Sequence, residues 1–258
     1  MTRRQIIANI VVAVAVAAGL AWLFTEVFGR LGKVTNWGRA WEYRESLWRG
    51  WLTTLGVSLA SLAGSIIFGV LFLLGQRSPL VVVRWVCRGF LEFVRDTPLL
   101  VHLLFGYFVI FAPMAARPLS DAGFNDKFVI GVLLLSVFSG AYLGEVLRGG
   151  VGSIPHTQWE SARAVGFVPF QVWRYVIIPQ ALRRVLPAIA GLFVSLIKDS
   201  SLLNVIGVTE YFYNTRNFIT SSYAGLEGYV PLALGYLVIT VPVAWFAHWL
   251  ERRFREET

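Results

Sequence analysis

The chain has 258 residues, 56% of them hydrophobic and only 15% charged, with 10 tryptophans and a formal net charge of +8. Its mean hydropathy of +0.63 and sparse charge exclude an ordinary soluble domain, in which about a quarter of residues are charged, and make it a membrane protein. No segment alternates apolar and polar residues long enough for barrel strands, so the runs of Leu, Ala, Val and Gly predict an all-α integral membrane fold.

A helix crosses the hydrocarbon core with about 20 residues, and six runs reach that length: 6–24, 51–74, 97–116, 128–147, 185–208 and 229–250. The first follows Arg3 and Arg4 and contains Ala15-Val16-Ala17, small residues of the kind found at a signal-peptide cleavage site. It continues through Leu20-Ala21-Trp22-Leu23-Phe24, longer than most signal-peptide cores, so a retained anchor is expected, with cleavage as the alternative. Residues 26–50 mix basic and acidic side chains, and Trp37, Trp41, Tyr43, Trp48 and Trp51 form the aromatic belt expected where a span meets water.

Within 75–96, Arg84, Arg88 and Glu92 recur every four residues opposite Val, Trp, Leu and Phe, the pattern of a helix lying along the inner membrane surface. The alternative is the basic lower half of one long tilted span. Because the residue before a proline avoids helical angles, an elbow is predicted at Arg95, Thr97 and Pro98, with the Thr97 hydroxyl capping the span that follows. Glu145 falls in the last turn of the fourth run, where it can pair with Arg148 in a structural or a gating role.

Basic residues gather at Arg3 and Arg4, in 77–95, in 148–184 and at Arg252, Arg253 and Arg255, which places these segments and both termini in the cytoplasm. The net charge follows from those loops rather than from nucleic-acid binding. A single cysteine, Cys87, excludes an internal disulfide, and His102, His156 and His248 share no ligand spacing, so no metal is expected. His102 is read as packed between helices, with a cavity-facing role as the alternative. No nucleophile elbow and no G-x-x-x-x-G-K-[ST] phosphate loop occurs, so this chain is expected to be neither an enzyme nor an ATP-binding protein.

The loop from about 149 to 184 is the most informative polar segment. Residues from Glu160 start a short helix, Gly166 ends it through a left-handed conformation, and Pro169 starts a second piece, since proline is tolerated in a first turn. The result is a helix–turn–helix knob on the cytoplasmic side. Its Glu160-Ser161-Ala162, Gly166 and Val176-Ile177-Ile178-Pro179 resemble the EAA loop of importer-type ABC transporter permeases, with Ser161 where that family has alanine. Tyr142, Glu145, Arg148 and Gly149 resemble the Tyr-x-Ala-Glu-x-x-Arg-Gly run of the polar amino acid branch, which includes histidine, glutamine and glutamate permeases; Gly144 replaces its usual alanine. Arg95, Thr97, Pro98, Leu99 and Leu100 match its Arg-x-Thr-Pro-Leu-Leu signature, and Lys198, Asp199, Ser200, Ser201 and Leu202 match its Lys-Asp-Thr/Ser-Ser-Leu segment.

The resemblance implies a multi-pass permease subunit of the bacterial inner membrane that imports polar amino acids. Residues 48–250 would be the transmembrane domain, 1–47 an added anchor span with an external linker, and 251–258 a cytoplasmic tail. The implied partners are two ABC ATPase subunits, which would bind ATP and magnesium, a second permease subunit and an extracytoplasmic substrate-binding protein. Glu160, Ser161, Ala162, Gly166 and Pro179 would couple the ATPase to the spans. The rival class is an ion-gradient-driven secondary transporter, against which stands the absence of an evident inverted repeat.

Lys198 and Asp199 lie deep in the run 185–208, where a charge costs on the order of 3 kcal/mol and normally faces a cavity or a partner. In one reading they, with Ser200, Ser201 and Thr97, contact the ammonium and carboxylate of a passing amino acid, which favours neutral or acidic cargo. In the other, each charge pairs with another span or another subunit.

Overall fold

The computed structural model describes residues 3–31, 37–115 and 126–255. The linker residues 32–36, the end of the predicted run 97–116 and the last residues of the tail, 256–258, lie outside the described residues. Among the described residues all regular structure is helical.

Helix α1 (Arg3–Leu31) carries a fully exposed apolar stretch. A short α2 (Trp37–Glu42) leads into α3 (Arg44–Gln76), which begins before the predicted run at 51 and projects its first turns beyond it. Then come α4 (Val81–Asp96) and α5 (Leu99–Leu104), the latter continuing through a π-helical stretch, Phe105–Phe111, into α6 (Ala112–Ala115). Between α4 and α5 the chain bends by 114°. That bend excludes one straight tilted span, and α4 is the separate amphipathic helix of the first reading.

Helix α7 (Lys127–Gly152) starts where the Asp126 side chain accepts from the Phe128 N–H at 2.8 Å. The loop holds α8 (His156–Ala164) and α9 (Pro169–Gln171), followed by a π-helical turn, Val172–Ile177, and α10 (Ile178–Asp199). A 3₁₀ segment, Ser200–Ile206, then leads to α11 (Tyr211–Ser222) and α12 (Gly225–Arg255). Among the described residues five helical runs are long and apolar enough to cross a membrane, and six if the bent pair supplies one more, in agreement with the six predicted runs.

The core forms where α3 and α7 lie close together. Ser58, Ser61, Ser65 and Gly69 on α3 face Ser136, Ser139, Gly140 and Gly144 on α7, all buried. In lipid no hydrophobic force drives helices together, so small residues that permit close backbone approach supply the packing. A Cβ on Gly140 would stand 2.6 Å from the Phe68 Cβ and 3.3 Å from the Gly69 N. The serine hydroxyls spend their protons on carbonyls, as in Ser136 to Val132 O at 2.6 Å and Ser65 to Ser61 O at 2.6 Å. Beside this seam, Val57, Leu99, Leu103, Leu135, Leu196 and Leu203 form the largest apolar cluster.

The helices alternate so that one end of the bundle collects the C-termini of α3 and α7, with α4, α8 and α9. Arg77, Arg84, Arg88, Arg95, Arg148 and Arg184 stand at this end. The opposite end collects the start of α3 with α2 and α11, joined by Arg39 to Ser222 O at 2.8 Å and Asn214 to Ser46 O at 2.8 Å.

Candidate functional site: a cytoplasmic knob and an intramembrane polar step

The knob owes its shape to one glycine. Gly166 has φ +88°, and on either side of it the Phe167 N–H donates to Ala162 O at 3.2 Å and the Gly166 N–H to Arg163 O at 2.9 Å. This is the Schellman arrangement, which satisfies the last carbonyls of α8. The second limb starts at Pro169, and the Gln171 side chain accepts from the Val168 N–H at 3.0 Å.

Both limbs close over a small apolar core of Val151, Ile154, Ala162, Val172, Ile177 and Ala181. Trp159 and Trp173 meet edge to face with ring centroids 5.1 Å apart, and Arg77, just past the end of α3, lies over the Trp173 ring at 5.6 Å. Of the predicted coupling residues, Ala162 is a buried strut, whereas Glu160 and Ser161 are exposed. Glu160 meets His156 Nδ1 at 3.1 Å, four residues back on the same helix. Val165, Val168, Phe170 and Tyr175 all stand exposed on the knob, Phe170 at 71%.

Pro179, among the expected coupling residues, lies in the first turn of α10, and the helical run is continuous from Pro169 to Ile206. The π-helical turn Val172–Ile177 widens the backbone just before the proline, which lacks an N–H and would crowd the preceding turn. The second limb of the knob therefore runs without a break into the predicted span 185–208.

At the elbow, Thr97 does not cap α5. Its hydroxyl bonds back to Phe93 O at 2.6 Å and meets His102 Nε2 at 2.5 Å, and Pro98 occupies the capping position without a side-chain bond. A hydroxyl within reach of the preceding turn's carbonyl satisfies the end of α4 instead. His102 is packed between rings, edge to face with Phe93 at 5.0 Å and tilted against Phe138 at 5.5 Å, as its packed reading expects. Glu145 and Arg148 pair as expected, with Arg148 Nη2 at 2.7 Å and Nε at 3.1 Å from one carboxylate oxygen. They share a cleft with Gln76, Arg88, Glu92 and Arg95.

Lys198 and Asp199 close α10, where the α-helix tightens into the 3₁₀ segment. Neither makes a hydrogen bond or ion pair to another side chain among the described residues. Lys198 is exposed and Asp199 half-buried, whereas Ser200 is fully buried. The Ser200 and Ser201 hydroxyls donate to Ile197 O at 2.8 Å and Lys198 O at 2.7 Å. Only their lone pairs remain for a ligand, and Ser200 is fully buried.

Sequence reasoning passed over Glu210. It is fully buried and accepts from the N–H groups of Phe212 and Tyr213, both at 2.7 Å, from Tyr236 Oη at 3.2 Å and from Thr54 Oγ1 at 3.4 Å. It caps α11 and ties α3 to α12. Burial pushes its carboxyl up to about 7, against the lowering effect of those donors. The available signal was an acid directly before a 12-residue amphipathic stretch, the position of an N-cap.

The family model described as "Binding-protein-dependent transport system inner membrane component" matches residues 65–256. The chain is 34% identical over 220 residues to the glutamine transport system permease protein GlnP of Escherichia coli K12, covering 85% of this chain and 98% of that protein. It is 31% identical to the probable glutamine ABC transporter permease protein GlnM of Bacillus subtilis, covering 80% and 92%. A crystal structure of an amino acid ABC transporter with histidines superposes with a TM-score of 0.74 at 28% identity, covering 85% of this chain and 99% of that one.

Proposed function

This chain belongs to the family of binding-protein-dependent transport system inner membrane components, and from that premise we propose that it passes a polar amino acid, glutamine-like in size and charge, through the inner membrane while its knob receives the stroke of an ATPase. The chain is the membrane-crossing subunit of an ABC importer; ATP hydrolysis belongs to a separate subunit, and a substrate-binding protein delivers the cargo. ATP and magnesium are assigned to the ATPase. A second permease subunit, identical or paralogous, completes the passage, and Lys198 and Asp199 face it or the substrate.

The observation that carries the coupling role is the continuity of the knob with a span. An ATPase surface that grips Phe170, Val168 and Tyr175 holds the lower end of one helix running from Pro169 to Ile206. Displacement of that end moves the helix as a body toward Lys198 and Asp199, while the Arg77–Trp173 contact passes the same displacement to α3. The arginine-rich end of the bundle is cytoplasmic on this reading, and both termini with it.

The test is co-purification with the neighbouring ATPase subunit. Phe170→Asp and Glu160→Lys are expected to lose the ATPase and substrate-stimulated uptake while inserting normally. Retention of both in the two variants removes the coupling role. Thiol labelling of Arg95→Cys from the periplasmic side would reverse the orientation.

A further inference from the structure

Beside the elbow, away from the knob core, α4 folds against the ends of α3 and α7 and leaves a cleft of about 300 Å³ lined by Gln76, Arg88, Glu92, Arg95, Glu145 and Arg148. Gln76 is only 9% exposed, and its Nε2 is buried without a hydrogen-bond partner. The amide bears on the Glu145 carboxylate without completing a bond to it. A buried amide left unmade costs free energy that native structures rarely tolerate. Its presence in a polar cleft marks a place for an acceptor that arrives from outside the chain.

The charge of the cleft gives the sign of that acceptor. Glu145 is engaged by Arg148, while among the described residues Arg88 and Arg95 form no ion pair. Three guanidinium groups against two carboxylates leave one positive charge in surplus. A dianion would exceed that surplus, and a neutral ligand would leave the guanidinium donors unused. A phosphodiester, with one charge and several acceptor oxygens, matches it and suits the guanidinium fork.

The surroundings give the source. On α4, at about 100° per residue, Trp85 falls roughly 60° from Arg88 and so flanks it, with Val82 further round toward the apolar face, and both are exposed, Trp85 at 76% and Val82 at 73%. Val86 and Phe93 extend this uncovered apolar flank. A molecule with a phosphate head and apolar chains would place its head in the cleft and its chains along that flank. Basic clefts between helices at the cytoplasmic membrane surface are built for this kind of ligand. We propose that the cleft among Gln76, Arg88 and Arg95 is a binding site for the headgroup of a monoanionic phospholipid of the inner leaflet, which fastens the elbow helix to the bilayer.

The experiment uses the full chain assembled with its ATPase, purified from membranes and returned to vesicles of phosphatidylcholine with or without phosphatidylglycerol. Native mass spectrometry reads the phosphatidylglycerol kept by each assembly. The unaltered protein is expected to keep it in preference to phosphatidylcholine. Arg88→Gln is expected to lower its retention on the order of tenfold, as loss of a charge-assisted hydrogen bond requires, and Gln76→Leu is expected to lower it as well. Arg84→Gln is the control, because that guanidinium is already held by Ser78 O at 2.8 Å and does not line the cleft. Equal losses in Arg84→Gln and Arg88→Gln would reduce the effect to surface charge and overturn the site. Inorganic phosphate is the second arm. If it stabilises the assembly against heat as well as phosphatidylglycerol does, with no lipid retained, the ligand is a soluble phosphate and the lipid assignment falls. Should Gln76→Leu fail to assemble, Arg88→Gln, on the exposed side of the cleft, decides the matter alone.

Discussion

Along the seam between α3 and α7 the close approaches at Gly64, Gly69, Gly140 and Gly144 each need a glycine on one side, whereas the knob holds Val165, Val168, Phe170 and Tyr175 out in the open around only six buried side chains. The seam is complete within the chain, since the hydroxyls of Ser58, Ser61, Ser65 and Ser136 are bonded to carbonyls and its backbones touch. The knob is complete in backbone, through its glycine turn, but unfinished in surface. Exposed large apolar residues grouped on one projection mark an interaction site. The contrast separates residues that hold the fold from residues that wait for a partner, and substitutions in the two regions should fail by different measurements.

The largest effect is expected in the seam. Gly140→Leu places a Cβ 2.6 Å from Phe68 Cβ, with the backbone of Ser65 and Gly69 at 3.3 Å, and backbone cannot step aside as a side-chain tip can. Overpacking of this kind costs about 3 kcal/mol, a drop in Tm on the order of 10 °C for a chain of this size, read by thermal unfolding in detergent. An unchanged Tm would show that the seam opens easily, and the distinction from the knob would collapse.

A comparable effect, dependent on pH, is expected at Glu210, which belongs with the finished part of the molecule. Burial holds its carboxyl at about 7, above its ordinary 4.5, so the folded chain keeps a proton that the unfolded chain releases between those values. Its contribution to stability is therefore full below about pH 4.5 and is lost as the pH rises through about 7, by about 3 kcal/mol. Glu210→Gln should flatten that part of the Tm profile. It should also impose a smaller, pH-independent loss of about 1 kcal/mol, because one amide oxygen cannot serve all four donors. A variant whose profile keeps the slope of the unaltered protein would place the titration elsewhere.

In the knob, Gly166→Val should cost about 1–2 kcal/mol locally, the penalty of a left-handed conformation for a residue with a Cβ. A Cβ there meets nothing within 4 Å, so the strain is conformational and Gly166→Ala should share most of it. The expected result is a Tm within a few degrees of normal with ATPase association weakened about tenfold, the reverse of the Gly140 pattern. Normal association in both variants would detach the turn from coupling.

How much of this was legible in the sequence follows the same division. Local rules carried far: an apolar run of span length, Gly166 as a helix terminator, and Glu145 three residues before Arg148 each specify their geometry within one turn. The unbroken helix through Pro179 was not legible because proline's cost depends on the turn before it, and the π-helical turn Val172–Ile177 that accommodates it leaves no mark in the residue types. Thr97 misled because its hydroxyl had two turns to choose from, and the carbonyl of Phe93 was nearer than the start of α5. Gln76 and Glu210 gained their meaning from helices far away in the chain, Gln76 from α4 and α7 and Glu210 from Thr54 and Tyr236. No spacing argument reaches that distance.

The smallest effect is expected where the finished part of the molecule meets α4. The bend at Thr97 and Pro98 joins two segments that are each anchored: Leu91 and Val94 are buried against Ala141 on one side, and Leu99 and Leu103 lie in the main core on the other. Pro98 sits at φ −62° and ψ 140°, angles open to any residue, and Thr97 is extended at φ −118° and ψ 144°. Pro98→Ala therefore leaves the folded state in place and acts on the unfolded chain, which gains freedom worth about 0.4–1 kcal/mol. On local grounds alone the substitution should straighten the elbow and cut transport more than expression; with both flanks anchored, it should cost only a few degrees of Tm and leave uptake near normal. The measurement is a distance between spin labels at Val86 and Tyr107, one on each side of the bend, compared with and without the substitution. A distance that lengthens toward that of one continuous helix would show that proline rather than packing holds the elbow, and would move this joint from the finished part of the molecule to the part that awaits a partner.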